Sequence, residues 1–149
     1  MKILIMGLPG SGKTTLAREL SYHFMIPHFN ADSIRQANDD WDFTPEGRER
    51  QFHRMAGYLA EVGFGICDFV CPKDVFQRNF PCDFMIWMDT IKEGRFEDTN
   101  KAFQEPSDYN IRITEWIDLS QLRKCLEDFN PGTKDIPLFL KEHFPKLVR

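Results

Sequence analysis

The first two dozen residues constrain the fold more than any other part of the chain. An apolar run, Lys2–Met6, stops at a glycine, which is typical of a central strand in a parallel sheet. The next eight residues match the pattern G-x-x-x-x-G-K-[ST] in full: Gly7-Leu8-Pro9-Gly10-Ser11-Gly12-Lys13-Thr14. The segment Thr14–Phe24 then repeats apolar residues at helical spacing. This order of strand, glycine-rich loop and helix predicts a phosphate-binding loop.

The chemistry of phosphate binding explains why these residue types are needed. Glycines let the backbone curl so that its N–H groups face inward, and the start of the helix adds positive potential. Lys13 supplies a charge to the β- and γ-phosphates of ATP, and the Thr14 hydroxyl can ligate Mg²⁺. We expect nine residues to bind ATP: Gly7, Leu8, Pro9, Gly10, Ser11, Gly12, Lys13, Thr14 and Thr15. Switch GTPases, transport ATPases and small-molecule kinases share this loop, so it does not by itself indicate a kinase.

Strand and helix patterns alternate along the rest of the chain. Further strands are predicted at His28–Ala31, Gly63–Val70, Phe84–Met88 and Tyr109–Trp116. Further helices are predicted at Asp32–Ala37, from Pro45 to about Glu61, at Leu119–Phe129 and at Leu138–Phe144. We therefore expect an α/β protein with the P-loop NTPase fold, a mainly parallel five-stranded sheet and helices on both faces. With 149 residues, close to the length of one domain, residues 1–149 are predicted to form a single domain.

Composition excludes several classes of protein. The 19 basic and 23 acidic residues give a net charge of −4, which argues against a partner nucleic acid held by bulk charge. The longest apolar stretches fall well short of the roughly 20 residues that a membrane span requires. The four cysteines include no CxxC pair, which favours reduced thiols in the core over a metal site. We expect a cytoplasmic protein with a small-molecule partner, no nucleic acid and no membrane; a homodimer stays open.

Polar side chains that could bind a second substrate follow the predicted second strand. Asp32 comes at its end, and Arg35 lies three residues further on. Open parallel sheets bind ligands at the carboxyl ends of their strands, so both side chains would face the same crevice. An acid at this point can orient an acceptor hydroxyl or help to hold magnesium. Taken singly, Asp32 is equally well read as a helix cap, Phe43 as a core residue and Arg48 as a solvated helix charge.

The ordered series of motifs resembles the adenylylsulfate kinase family. Where that family reads G-L-S-G-S-G-K-[ST], D-G-D-x-[VI]-R, A-F-I-S-P and V-Y-V-D, this chain has residues 7–14, Asn30-Ala31-Asp32-Ser33-Ile34-Arg35, Asp68-Phe69-Val70-Cys71-Pro72 and Ile86-Trp87-Met88-Asp89. The family's G-F-S, D-R and E-N-I-R-R elements correspond to Phe43-Thr44, Arg48 and Gln51-Phe52-His53-Arg54. The resemblance is continuous from Met1 to Asp89 and fades beyond.

The resemblance implies a kinase that uses MgATP to phosphorylate the ribose 3′-hydroxyl of adenosine 5′-phosphosulfate. It makes Lys13 and Asp32 the catalytic residues, with Asp32 as general base or magnesium organiser, so that Thr14 and Asp32 serve the metal. It implies that Arg35 and Arg48 bind the phosphosulfate and that Phe43 stacks on the acceptor's adenine. Gln51 stands where the family has a hydrogen-bonding asparagine. The implied acceptor site is completed by Phe69, Cys71 and Lys101.

The chain also departs from the family. Asn30 replaces an aspartate, Cys71 a serine and His53 an arginine. After Asp89 the family has a mobile lid rich in lysine and arginine, and the segment 98–106 that takes its place here is shorter. The resemblance assigns Lys101 as the lid lysine and Phe103 as a second stacking aromatic, with Arg95 as another candidate. Asp68 and Asp89 both end apolar strands, and Asp32 ranks ahead of them because the family has an alanine where Asp68 stands.

Two alternatives remain open from the sequence. One is a P-loop kinase for another hydroxyl acceptor, such as a nucleoside, a sugar or a polynucleotide end. The other is a non-catalytic or slowly hydrolysing ATP-binding module that works through a partner, which Asn30 and the short lid would favour. The two differ in whether an acceptor stimulates the release of ADP.

Overall fold

A computed structural model describes residues 1–129 and 135–144 of the chain. Its centre is one parallel sheet made of β1 (Lys2–Met6), β2 (His28–Asn30), β3 (Gly65–Phe69), β4 (Phe84–Met88) and β5 (Ile111–Ile113), arranged in the order β2-β3-β1-β4-β5. Residues on β1, β3 and β4 are almost wholly buried because helices cover both faces. The predicted α/β fold with five parallel strands is confirmed.

The described part of the chain contains seven helices: α1 (Lys13–Phe24), α2 (Ala31–Ala37), α3 (Pro45–Val62), α4 (Asp74–Asn79), α5 (Glu97–Ala102), α6 (Leu119–Asp128) and α7 (Ile136–His143). One core cluster packs α1, α6 and α7 against Ile3, Ile5 and Ile86 of the sheet. The second packs α2, α3 and α4 against Leu4 and Met6. Successive β1 residues therefore enter opposite cores, as the alternation of a strand requires. None of the helices that the structure describes is both long and apolar enough to cross a membrane.

The elements of the structure differ from the predicted ones in several places. The fifth strand is shorter than Tyr109–Trp116, because Ile113 pairs with Met88, where β4 ends, and the chain beyond has no strand to pair with. Helix α2 is capped by Asn30, whose Oδ1 accepts from the Ser33 N–H at 3.0 Å, so Asp32 lies in the first turn and is not the cap. Helices α4 and α5 were not expected.

The parallel arrangement decides where chemistry can take place. The carboxyl ends of all five strands lie at one edge of the sheet, and the loop that follows β1 is central in it. Asp68 is the next-to-last residue of β3, Asp89 directly follows β4 and Asp32 lies in the first turn of the helix after β2, so all three acids are at this edge. Ligands bind at this edge in open α/β sheets.

Candidate active site

The loop between β1 and α1 has the backbone geometry of an anion cradle. A Cβ on Gly7 would lie 2.5 Å from the Met88 carbonyl oxygen, so only glycine lets the loop pass over the end of β4. Gly12 has a φ of 97°, in the left-handed region, and it caps α1 without any side-chain hydrogen bond. The first turn of α1 contains no acidic residue. The N–H groups at this helix end are thus left for an anionic ligand.

Lys13 is held inside this loop. Its Nζ donates to the Leu8 carbonyl at 2.9 Å, and the residue is only 8% exposed. Burial lowers the pKa of Lys13 to about 8, while the negative charges of Asp68 and Asp32 act in the opposite direction. The loop also contains Ser11 Oγ, which is buried and has no hydrogen-bond partner in the part of the chain that the structure describes. The loop is therefore poised for a ligand that supplies negative charge and hydrogen-bond acceptors.

Asp68 lies beside Thr14, at the point where β3 passes next to β1. Its Oδ1 accepts from Thr14 Oγ1 at 3.0 Å, and its Oδ2 accepts from Asn30 Nδ2 at 3.3 Å and contacts His28 Nε2. The residue is 2% exposed. The sequence ranked Asp32 ahead of it as the magnesium-side acid, whereas the carboxylate that touches the predicted magnesium ligand Thr14 belongs to Asp68. Its position at the end of an apolar strand was the signal for it.

Asp89 has a different environment although it also ends a strand. Arg112 Nε donates to its Oδ2 at 2.9 Å, and Lys92 Nζ lies 3.3 Å from the same oxygen. The Arg112 guanidinium stacks over the Trp87 ring at 4.6 Å. The carboxylate is thus neutralised within an ion-pair network that ties β4 to β5.

A cleft of about 360 Å³ opens beside the phosphate loop, between α2, α3, the end of β3 and α5. Six of the residues predicted for the acceptor site line it: Asp32, Arg35, Phe43, Arg48, Phe69 and Cys71. Pro9 of the loop forms one wall, which makes the cleft continuous with the predicted ATP site. Asp32 is exposed in the cleft and makes no hydrogen bond or ion pair with any described residue, so its carboxylate is available to a ligand.

Two arginines flank the ring of Phe43. The Arg35 guanidinium lies 4.3 Å from the ring centroid and donates to the carbonyls of Asp40 and Asp42, each at 3.1 Å. Arg48 lies 5.5 Å from the same centroid, and its Nε donates to the Phe43 carbonyl at 2.9 Å. Burial lowers the pKa of both arginines. The cleft thus combines two preoriented cations with a half-exposed aromatic surface.

The short lid covers one side of this cleft. Arg48 Nη2 donates to Thr99 Oγ1 of α5 at 3.1 Å, and Thr99 is 4% exposed. The Gln104 N–H donates to the Pro72 carbonyl at 2.7 Å and so attaches the far end of the lid to the turn after β3. The lid is therefore held to the cleft by contacts with both α3 and this turn.

Of the three lid residues named from the resemblance, Arg95 lines the cleft, whereas Lys101 and Phe103 lie outside it. The Lys101 side chain is 76% exposed and pairs with Glu97 at 3.3 Å, one turn earlier on α5. Phe103 packs against the core and lines a separate, smaller pocket. Arg95 and Phe96, at the start of α5, line the cleft in their place. Helix α5 had no pattern from which its orientation could be predicted, and Phe96 was missed for that reason.

Gln51 and Trp41 also differ from the predictions for the acceptor site. Gln51 is 3% exposed and does not line the cleft; its Nε2 donates to the Ala31 carbonyl at 3.0 Å, which braces the turn that carries Asp32. Its extra methylene relative to asparagine lets the amide reach the backbone of that turn. Trp41 lines the cleft and was not singled out from the sequence.

Comparisons with known proteins agree with this geometry. No model of a known protein family matches the chain. The APS kinase of Mycobacterium tuberculosis, solved with AMPPNP and APS, superposes with a TM-score of 0.64 at 17% identity over 85% of this chain and 95% of that one. Shikimate kinase from Aquifex aeolicus superposes with a TM-score of 0.60 at 18% identity over 83% and 92%. The fold is that of the P-loop kinases.

The sequence relatives have a different name from the family that the motifs resemble. Adenylate kinase of Clostridium botulinum (strain Hall) is 36% identical over 85 residues, which is 56% of this chain. The match spans 39% of the relative's own length. The chain therefore shares a P-loop kinase fold with several kinases of different names, and its acceptor has to be argued from its own residues.

Proposed function

We propose that this chain is an ATP-dependent kinase that phosphorylates a hydroxyl group of a small anionic acceptor, the 3′-hydroxyl of adenosine 5′-phosphosulfate. One observation carries the proposal: the lysine of the phosphate loop and a cleft with a free carboxylate and two arginines share one edge of the sheet. This arrangement places a phosphoryl donor next to an acceptor that is itself negatively charged.

The cleft supports an acceptor that is both anionic and aromatic. Arg35 and Arg48 present planar guanidinium groups, which suit the paired oxygens of phosphate and sulfate. Phe43 is 45% exposed beside them, and Phe96, just before α5, is 49% exposed, so both rings offer part of their surface for a nucleobase to pack on. Arg48 lies 3.6 Å from the carboxylate of Asp98 and Arg35 donates only to backbone carbonyls, so an uncharged sugar would add no anion to this pair of cations.

The residues beside the loop fit a magnesium ion. No three His, Cys, Asp or Glu side chains cluster as a metal site in residues 1–129 and 135–144, which suits an ion held mainly by nucleotide phosphates and water. Thr14 supplies a hydroxyl ligand, and Asp68 orients that hydroxyl and provides a buried negative charge next to it. Magnesium bound there would neutralise charge on the β- and γ-phosphates.

The proposed transfer assigns one role to each side chain. The acceptor hydroxyl oxygen attacks the γ-phosphorus in line, and the bond from that phosphorus to the β–γ bridging oxygen breaks. ADP leaves with the electron pair, and the Asp32 carboxylate receives the hydroxyl proton. Lys13 balances charge on the transferring group, while the lid restricts access of water.

Acceptor-dependent release of ADP tests the proposal. The protein is mixed with MgATP and adenosine 5′-phosphosulfate, ADP is measured by a coupled assay, and the 3′-phosphorylated product is identified by mass spectrometry. AMP is the matched acceptor because it differs only by the missing sulfate, and it also tests the kind of activity that the curated relatives are named for. Gluconate and shikimate test hydroxyl acceptors that carry a carboxylate and no nucleobase.

The variants separate binding from chemistry. Asp32→Asn should bind MgATP like the wild-type protein and lose transfer, whereas Lys13→Ala should lose both. If the wild-type protein with adenosine 5′-phosphosulfate releases ADP no faster than Lys13→Ala does, the proposal that this compound is the acceptor is refuted. If no acceptor in the panel stimulates ADP release although MgATP binds, the chain is a nucleotide-binding module and not a kinase.

A further inference from the structure

A large aromatic side chain lies against the phosphate loop on the side away from the acceptor cleft. Trp116 follows β5 and is 60% exposed. A Cβ added to Gly12 would lie 3.0 Å from Cζ3 and 3.4 Å from Cε3 of its indole, so one edge of the ring rests on the loop. The opposite part of the ring is open to solvent. A small pocket of about 60 Å³ adjoins it, next to Thr15 and Leu119.

The position of the acceptor cleft indicates which part of a nucleotide would reach Trp116. Pro9 and Asp32 line the cleft, whereas Gly12 and Thr15 line the pocket beside Trp116. For transfer to occur in line, the γ-phosphate must face Asp32. The nucleoside then leaves the loop at the other end, where the start of α1 meets the turn after β5.

The turn that carries Trp116 is short and fixed at both ends. Five residues, 114–118, connect Ile113 of β5 with Leu119 of α6. Ile117 packs against the main core cluster, and Asp118 caps α6 by accepting from the Gln121 N–H at 3.0 Å. Because Ile117 points into the core, the preceding residue, Trp116, is held at the surface beside the loop. This preorientation lowers the entropy cost of stacking a ligand on it.

We propose that the Trp116 indole is the stacking platform for the base of the phosphoryl donor, and that this donor site discriminates weakly between purine nucleotides. The proposal rests on the proposed function, in that the loop must bind a nucleoside triphosphate. Among the described residues that line the pocket with Trp116, Thr15 is the only one with a polar side chain. Every base has a π-face, so stacking tolerates a change of base, whereas discrimination requires hydrogen bonds to the base edge.

Binding of three magnesium-bound probes tests the proposal: ATP, GTP and inorganic tripolyphosphate, which occupies the loop without a base. Their affinities are measured by titration calorimetry for the wild-type protein and for Trp116→Ala, Trp116→Phe and Tyr22→Ala. Tyr22 is 85% exposed on α1 and serves as a matched control for loss of an exposed aromatic ring. Lys13→Ala reports separately on the loop.

The wild-type protein should bind ATP and GTP with affinities within about tenfold of each other. Trp116→Ala should weaken both by about 5- to 100-fold, the range expected for one base stacked on an aromatic ring, and leave tripolyphosphate unchanged. Trp116→Phe should keep most of the nucleotide affinity, and Tyr22→Ala all of it. Lys13→Ala should weaken all three probes.

Three results would overturn the inference, and a fourth would identify a different failure. Unchanged ATP affinity in Trp116→Ala removes the stacking role. An equal loss of tripolyphosphate affinity makes Trp116 a support for the loop and not for the base. If GTP binds more than about 100-fold more weakly than ATP, the proposal that the donor site discriminates weakly between purine nucleotides is refuted. If the wild-type protein binds neither tripolyphosphate nor nucleotide, the proposed function fails and this inference fails with it.

Discussion

The burial of Lys13 predicts that the affinity for ATP falls with rising pH, well below the range in which an ordinary lysine titrates. The ammonium group is enclosed by the loop, with the Leu8 carbonyl as its hydrogen-bond partner. Burial lowers its pKa to about 8 in the free protein. Phosphate oxygens beside the ammonium favour its charged form, so binding of ATP raises the pKa again toward the usual lysine value near 10.4.

The sign and size of the effect follow from these two states. Below about pH 8 the free protein already carries the charge that the phosphates need, and binding is independent of pH on this account. Above it, the free protein holds a growing fraction of neutral amine, and binding has to take up a proton. About three quarters of the free protein carries the charge at pH 7.5 and only about 3% at pH 9.5, so the affinity at pH 9.5 should be about 20-fold lower than at pH 7.5.

Titration calorimetry in two buffers with different ionisation enthalpies measures this proton directly. Through this lysine the wild-type protein should take up about 0.9 proton per ATP at pH 9.5 and only about a quarter of a proton at pH 7.5. Lys13→Arg is the matched control, because a guanidinium keeps its charge throughout this range. Wild-type binding without proton uptake at pH 9.5, or the same loss of affinity in Lys13→Arg, would refute the reasoning.

Two further predictions concern the metal side and the lid. Asp68→Asn should lower turnover by about 10- to 100-fold and raise the Mg²⁺ concentration needed for half-maximal activity, because the amide no longer provides the negative charge beside Thr14. Asp89→Asn is the control, because the wild-type Asp89 carboxylate pairs with Arg112, and its Mg²⁺ requirement should stay unchanged. A shift of the Mg²⁺ requirement of equal size in Asp89→Asn would contradict the assignment of Asp68 to the magnesium side. Thr99→Val keeps the shape of the side chain but removes the hydrogen bond from Arg48 to the lid. The variant should raise the KM of the acceptor by about tenfold and leave the KM of ATP unchanged. An equal rise in both KM values would indicate a general loss of structure around both sites and would contradict this prediction.

The fold could be predicted from the sequence where burial alone decides the structure. The bounds of Lys2–Met6 and Phe84–Met88 are confirmed residue for residue, because fully buried parallel strands read as uninterrupted apolar runs. Helices α4 and α5 escaped prediction because six residues are too few to show a helical period, and their contacts are with distant segments. Phe96 was missed for the same reason: its place in the cleft depends on how α5 docks on Arg48.

The site could be predicted as far as the loop and the first turns after it, and no further. Six of the residues predicted for the acceptor site line one cleft, because they lie at the ends of parallel strands or on the segments that follow these strands. Gln51 and Lys101 do not line the cleft. The side-chain amide of Gln51 extends to the Ala31 carbonyl instead, and the orientation of the short helix α5 directs Lys101 toward solvent and Glu97. Neither contact is encoded in a local pattern.

The order of the strands determines what each of the three strand-end acids does. Asp68 ends β3, which pairs directly with β1, and this neighbourhood brings it within hydrogen-bond distance of Thr14. Asp89 ends β4, which pairs on its other side with β5, and there it meets Arg112. Asp32 lies one turn past β2 at the edge of the sheet, beyond β3, where no described residue pairs with it and the cleft opens. In sequence the three look interchangeable, and a family resemblance favoured one of them for the metal. The sheet instead gives them three different environments: Asp68 is buried beside Thr14, Asp89 is neutralised by Arg112, and Asp32 is exposed in the cleft.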